Sequence, residues 1–153
     1  MSHFNSSIKK VYRVVASDDD EVLLYHVTYA NRLESIAKHG LTPNASRSIG
    51  APGYDSHAKG RVFLTDFDGV SFWMSRAEDF ANHSSDHPLT ELYVPVVLQT
   101  FVYKEDLVVD KEGTRDASSN AWFITKKIPA DEILLWDGKH WIDVADHDGL
   151  DYE

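Results

Sequence analysis

The run Leu23-Leu24-Tyr25-His26-Val27-Thr28, leading almost directly into a helix that stops at His39-Gly40-Leu41, most constrains what this chain can fold into. Its β-branched and aromatic content reads as a strand from Val22 to Thr28. Helix is expected from about Tyr29 to His39, because Leu33, Ile36 and Ala37 fall at i, i+3 and i+4 and make one apolar stripe. Glu34 and Lys38 are spaced to pair on its outer side, and Gly40 is placed to end it. A strand that presents His26 and Thr28 and then turns into a packed helix holds that polar pair on rigid scaffolding, as small sites require.

Further along, Lys10 to Ala16 reads as a strand and Ser17 to Glu21 as an acidic hairpin tip. That tip lacks the spaced ligands, the Gly and the distal Glu of a calcium loop. Thr42 to Lys59 is an irregular loop long enough to suggest a functional role. Arg61 to Thr65 is a short strand, and Thr65 or Asp66 can cap a helix over about Asp68 to Asn82. Val70, Trp73, Met74, Ala77 and Phe80 form its apolar side. Glu91 to Val102 is a long β-like run in which Pro95 points to an edge or a bulge. A strand over Leu107 to Val109, a polar loop over Lys111 to Asn120 and three short strands follow. Those strands are Trp122 to Thr125, Glu132 to Trp136 and His140 to Val144.

Many strands with two helices inserted early imply an α+β domain, the helices packing on a split, two-sheet β core. Regular β–α alternation and a GxGxxG loop are both absent, which excludes a doubly wound nucleotide fold. A chain of 153 residues with 42% hydrophobic content is read as one domain over 1–153, with flexible ends at 1–9 and 145–153. No apolar run approaches the roughly 20 residues of a membrane helix, no secretory peptide is readable, and Cys is absent. A cytoplasmic site of action with no membrane partner is expected. The net charge of −10 weakens general attraction to nucleic acid. Lys9, Lys10, Arg13, Arg47, Lys59 and Arg61 could still gather into a local basic cleft. His57, His83, Asp86 and His87 lack metal-ligand spacing, so no metal is expected. No Gly-x-Ser-x-Gly elbow supports Ser/His/Asp chemistry.

Three segments together are more informative. Leu24-Tyr25-His26-Val27-Thr28 with Gly40-Leu41 and Pro43, then Gly60-Arg61-Val62-Phe63-Leu64-Thr65, then Asn120-Ala121-Trp122-Phe123-Ile124-Thr125 stand in that order. The set resembles the diphtheria-toxin-like and poly(ADP-ribose)-polymerase-like ADP-ribosyltransferases. Their motifs are a His, usually Gly, then Ser or Thr; a Gly-x-Tyr-Phe strand; and an Asn-Glu-Tyr-x-Val strand. The resemblance implies NAD as substrate and no metal. It implies that His26 binds the adenosine ribose, that Thr28 supports it, and that the Val27 backbone holds the nicotinamide carboxamide. Val62 stands where a first stacking Tyr is expected, and Trp73, or Phe72 beside it, supplies a second aromatic wall. Arg47 is placed to contact the pyrophosphate.

Ala121 stands where the resemblance expects the catalytic Glu, the group that stabilises positive charge as nicotinamide leaves. An Ala there fits an inactivated Glu→Ala variant, a natural pseudoenzyme, or a different alignment of this segment. The activity implied is transfer of ADP-ribose to a protein or nucleic-acid acceptor, by a toxin or defence effector with an antitoxin or immunity protein as partner. The alternatives are a non-catalytic binding module of the same fold and an RNA 2′-phosphotransferase relative. The latter fits an acidic chain poorly.

Overall fold

Hydrophobic alternation along β1 (Glu21–Tyr29) sends successive side chains to opposite faces, and both faces are covered. The computed structural model describes residues 20–43, 60–83 and 94–149. After β1 come α1 (Leu33–His39), β2 (Val62–Thr65), α2 (Val70–His83), β3 (Pro95–Tyr103) and β4 (Val108–Val109). Then follow α3 (Lys111–Ala117), β5 (Ala121–Ile124), β6 (Ile133–Trp136) and β7 (Trp141–Asp143). The seven strands form one sheet in the order β4-β5-β2-β1-β3-β6-β7, with every neighbouring pair antiparallel.

The chain is therefore an α+β domain, but its β core is one continuous sheet where two were expected. The physical reason lies between β1 and β2. β1 pairs with β3 along its whole length, from Glu21↔Tyr103 to Tyr29↔Pro95, whereas β1 and β2 meet in register only at Tyr25↔Thr65. That junction joins a β4-β5-β2 half to a β1-β3-β6-β7 half by its narrowest ladder.

Two apolar clusters cover the two faces. Leu24, Val62, Leu64, Leu98, Ile124, Ile133 and Leu135 pack with Leu33 and Ile36 of α1 on one side. Tyr25, Val27, Tyr29, Val97 and Trp141 pack with Ala77 of α2 on the other, joined by Val70, Trp73, Met74 and Phe80. The apolar spacing of α2 is thus accounted for residue by residue. Helix α1 ends as its sequence dictates. Gly40 adopts φ 77° and returns its N–H to Ile36 O at 2.7 Å, and a Cβ there would overlap Ile128 O. Lys38 Nζ lies 3.2 Å from Glu34 Oε2 on the outer face.

Other elements depart from expectation. Tyr29 completes β1 and Ala30–Arg32 is a 3-10 turn, so helix α1 begins only at Leu33. Pro95 opens an interior strand, a position that tolerates Pro because β6 pairs only with Leu98 to Thr100. The polar stretch expected to be a loop contains α3, because Asp110 caps it by accepting from Gly113 N at 3.2 Å. The 145–153 tail is described through Gly149, where it continues the 3-10 turns of Val144–Gly149. The Lys10 to Ala16 strand, the 1–9 end and most of the Thr42 to Lys59 loop lie outside the described residues.

Candidate functional site

The three sequence segments fold into three adjacent strands, β1, β2 and β5. Their registers align Tyr25, Thr65 and Ala121 in one row across the sheet. Directly opposed residues share a face, so this row lies on the α2 side, where Tyr25 belongs to the same cluster that Trp73 packs against.

His26 follows Tyr25 at the point where β1 and β2 part. Its Nδ1–H donates to the Phe63 carbonyl at 2.6 Å. A carbonyl only accepts, so this bond puts the proton of a neutral ring on Nδ1 and leaves Nε2 as an acceptor. Burial pushes the imidazole below its ordinary value, the Phe63 carbonyl opposes that, and the positive charge of Arg32 adds to the lowering. The ring keeps some exposed surface, yet it is enclosed enough to favour the neutral form. His26 is thus suited to receive a hydrogen bond from a ligand hydroxyl.

Beside it, Thr28 is buried, with Val96 as its strand partner. Val27 is buried in the α2-side cluster together with Trp73. Val62 is buried in the opposite cluster, away from Trp73, and presents no aromatic face. The structure therefore does not bring Val62 and Trp73 together as two walls. Phe72 meets Trp73 edge-on, with ring centroids 4.8 Å apart, and the Arg76 guanidinium lies 5.8 Å from the Trp73 centroid. Arg76 also approaches Asp116 of α3 at 3.9 Å, which links the two helices above this side of the sheet. Arg47 lies outside the described residues.

Ala121 is 3% exposed and held on both sides. Thr114 Oγ1 accepts from Ala121 N at 3.1 Å and lies 3.3 Å from Ala121 O, while Asp110 N donates to Ala121 O at 3.0 Å. One residue earlier, Asn120 O accepts from Thr65 Oγ1 at 3.1 Å and from Asp66 N at 3.3 Å. Two glycines roof the row. A Cβ on Gly69 would overlap Thr65 Oγ1 and stand 2.7 Å from Ser119 Oγ. A Cβ on Gly113 would lie 2.5 Å from Asp110 Oδ2 and 3.1 Å from the Ala121 Cβ. Ser118, just before this strand, takes the left-handed conformation at φ 55°, a strained choice for a residue other than Gly.

Sequence reasoning did not single out Thr65 as a clamp, nor Gly69, Asp110, Gly113 or Thr114. The Asp110 to Gly113 spacing was the available signal for a capped turn. The closeness of Gly113 to Ala121 is tertiary and had no local signature. Among the described residues no group of three or more His, Asp or Glu is placed to hold a metal ion, and no helix is long and apolar enough to cross a membrane. Comparison with protein-family models, with curated proteins and with solved structures gave no match.

Proposed function

We propose that this chain is an NAD-binding domain of the ADP-ribosyltransferase kind, a toxin or defence effector that Ala121 leaves without its catalytic carboxylate. The observation that carries this reading is the junction of β1, β2 and β5. Three segments far apart in sequence meet there, and His26 is fixed by Phe63 O with Nε2 available to a ribose hydroxyl. NAD would place its ribose at His26, whose side chain leaves β1 on the α1 face, opposite the Tyr25–Thr65–Ala121 row, so its nicotinamide end would reach that row only through the gap where β1 and β2 part. With a carboxylate at 121, loss of nicotinamide would leave an oxocarbenium-like ribose stabilised by that charge. A nucleophile of a protein or nucleic acid would then capture it, and an antitoxin or immunity protein would restrain the active form. No membrane partner and no metal enter this account, and the cytoplasm is its proposed setting.

A second reading has one observation in its favour. Ala121 is 3% exposed, and a Cβ built on Gly113 would come within 3.1 Å of its methyl, so the space around this small residue is tight. That suits a binding module that holds a nucleotide and transfers nothing. The two readings share a ligand, and calorimetric titration of NAD into the chain and into its His26→Gln variant tests both. Saturable binding that the substitution weakens supports a dinucleotide site; no heat from either protein removes it.

A further inference from the structure

β4 stands at one end of the sheet and, among the described strands, pairs only with β5. Its two residues, Val108 and Val109, are 47% and 56% exposed, so both faces of this short edge carry apolar surface. The bond from Asp110 N to Ala121 O marks residues 110 and 121 as a pair of the hydrogen-bonded type. Such pairs alternate along an antiparallel ladder, so Val108 points its backbone groups at Phe123. Val109 therefore points its N–H and C=O outward, away from β5. Leu107, also extended, turns its carbonyl the same way, while its own N–H donates to Lys104 O at 3.1 Å.

Sheet edges are usually blunted by Pro or by charge, because their outward backbone groups accept another strand. Here the charges stand beside the edge, one exposed Lys and one exposed Glu on each flank. Lys104 and Glu105 precede β4, and Lys111 and Glu112 follow it. Asp106, which also precedes β4, is paired with Lys126 Nζ at 2.9 Å. These flanks are thus charge-balanced on a chain whose net charge is −10, so copies that repel one another elsewhere can approach at this edge. A two-fold axis sets the leading flank of one copy against the trailing flank of the other. It brings Lys104 and Glu105 toward Glu112 and Lys111 of the second copy. Exposed ion pairs add little energy, but they favour one orientation over others.

We propose that β4 is the self-association edge of this chain, pairing antiparallel with β4 of a second copy. Val108 meets Val108 across the axis as a close pair without hydrogen bonds, and each Val109 N–H donates to the Leu107 carbonyl opposite. The symmetry makes every such contact twice. The two seven-stranded sheets join into one. Because the axis runs perpendicular to the sheet, both α2 sides face the same way, and with them both Tyr25–Thr65–Ala121 rows. The pairing is independent of which ligand the β1–β2–β5 junction takes.

Because the chain has no Cys, a single introduced thiol reports the pairing. Opposed Cα atoms of a pair without hydrogen bonds lie about 4.5 Å apart, within reach of a disulfide. In a glutathione redox buffer, Val108→Cys is expected to form a covalent dimer, while Ser75→Cys, exposed on α2, stays monomeric. Sedimentation equilibrium of the unaltered chain is expected to show a concentration-dependent dimer. Val108→Lys, its fold checked by thermal melting, sets like charges across the axis and should raise the dissociation constant by about tenfold or more. A dimer that Val108→Lys leaves intact, or equal cross-linking at Ser75 and Val108, overturns the inference. So does a chain that stays monomeric at every concentration, which would leave the edge to an extended segment of a different protein.

Discussion

The carbonyl of Phe63 and the imidazole of His26 are 2.6 Å apart, joined across the one place where the sheet is barely laddered. A side chain here makes a link that backbone pairing does not. The same bond puts the proton of the neutral ring on Nδ1 and leaves Nε2 as an acceptor, so a feature of the fold sets the tautomer of His26.

The buried His26 should leave a pH signature in stability. Its folded pKa lies below the ordinary value of 6.5, so between the two values the unfolded chain binds more protons. The stabilisation is complete above about pH 6.5 and declines as pH falls toward the folded value. Urea unfolding of the chain at a series of pH values should show this decline. His26→Gln should flatten it, and an unchanged slope in the variant would show that the imidazole is not held neutral.

Gly113 should resist replacement even though Ala is the better helix former by about 1 kcal/mol. An added Cβ meets Asp110 Oδ2 at 2.5 Å and the Ala121 methyl at 3.1 Å. Overpacking of this kind costs about 1–3 kcal/mol, enough to reverse the propensity gain. Gly113→Ala should lower the melting temperature by roughly 2–6 °C, and Asp110→Ser in the same background should recover part of the loss. A stabilised Gly113→Ala protein would mean that α3 does not pack on β5 as described.

How much of this was legible beforehand differs by residue. Gly40, the Glu34–Lys38 pair and the apolar side of α2 follow from local spacing, and each stands where its spacing puts it. The three motif segments were likewise readable as strands. Helix α3 was hidden because Gly113 weakens its propensity, and its stability comes from the Asp110 cap and from packing on Ala121. The single sheet was hidden because alternation reveals which faces are buried, while strand neighbours are chosen by the whole chain. Val62 was placed by motif position alone, and only the packing of the sheet puts it on the side away from Trp73.

The buried pair formed by Gln99 and Tyr25 should behave as a unit. Gln99 is wholly buried and its Nε2 donates to Tyr25 Oη at 3.2 Å, while its Oε1 has no hydrogen-bond partner among the described residues. Tyr25→Phe strands the amide donor and should cost about 1–3 kcal/mol. Tyr25→Phe with Gln99→Leu should cost less than the sum of the single changes, since apolar groups replace both partners. Denaturant midpoints of the four proteins in this cycle give the coupling directly; strict additivity would mean the two groups do not interact.

We propose that the β1–β2–β5 junction binds NAD and that Ala121 leaves it without a catalytic carboxylate. The most direct test is nicotinamide release from NAD by the chain and by Ala121→Glu, with and without cell extract, the variant's fold being checked by its melting curve. Ala121 is 3% exposed and a Cβ on Gly113 would lie 3.1 Å from its methyl, so a Glu at 121 requires the neighbouring α3 segment to move aside. The account predicts release by the Glu form alone, abolished again by His26→Gln. A folded Ala121→Glu protein that leaves NAD intact would contradict it and bring forward the reading of a non-catalytic binding module.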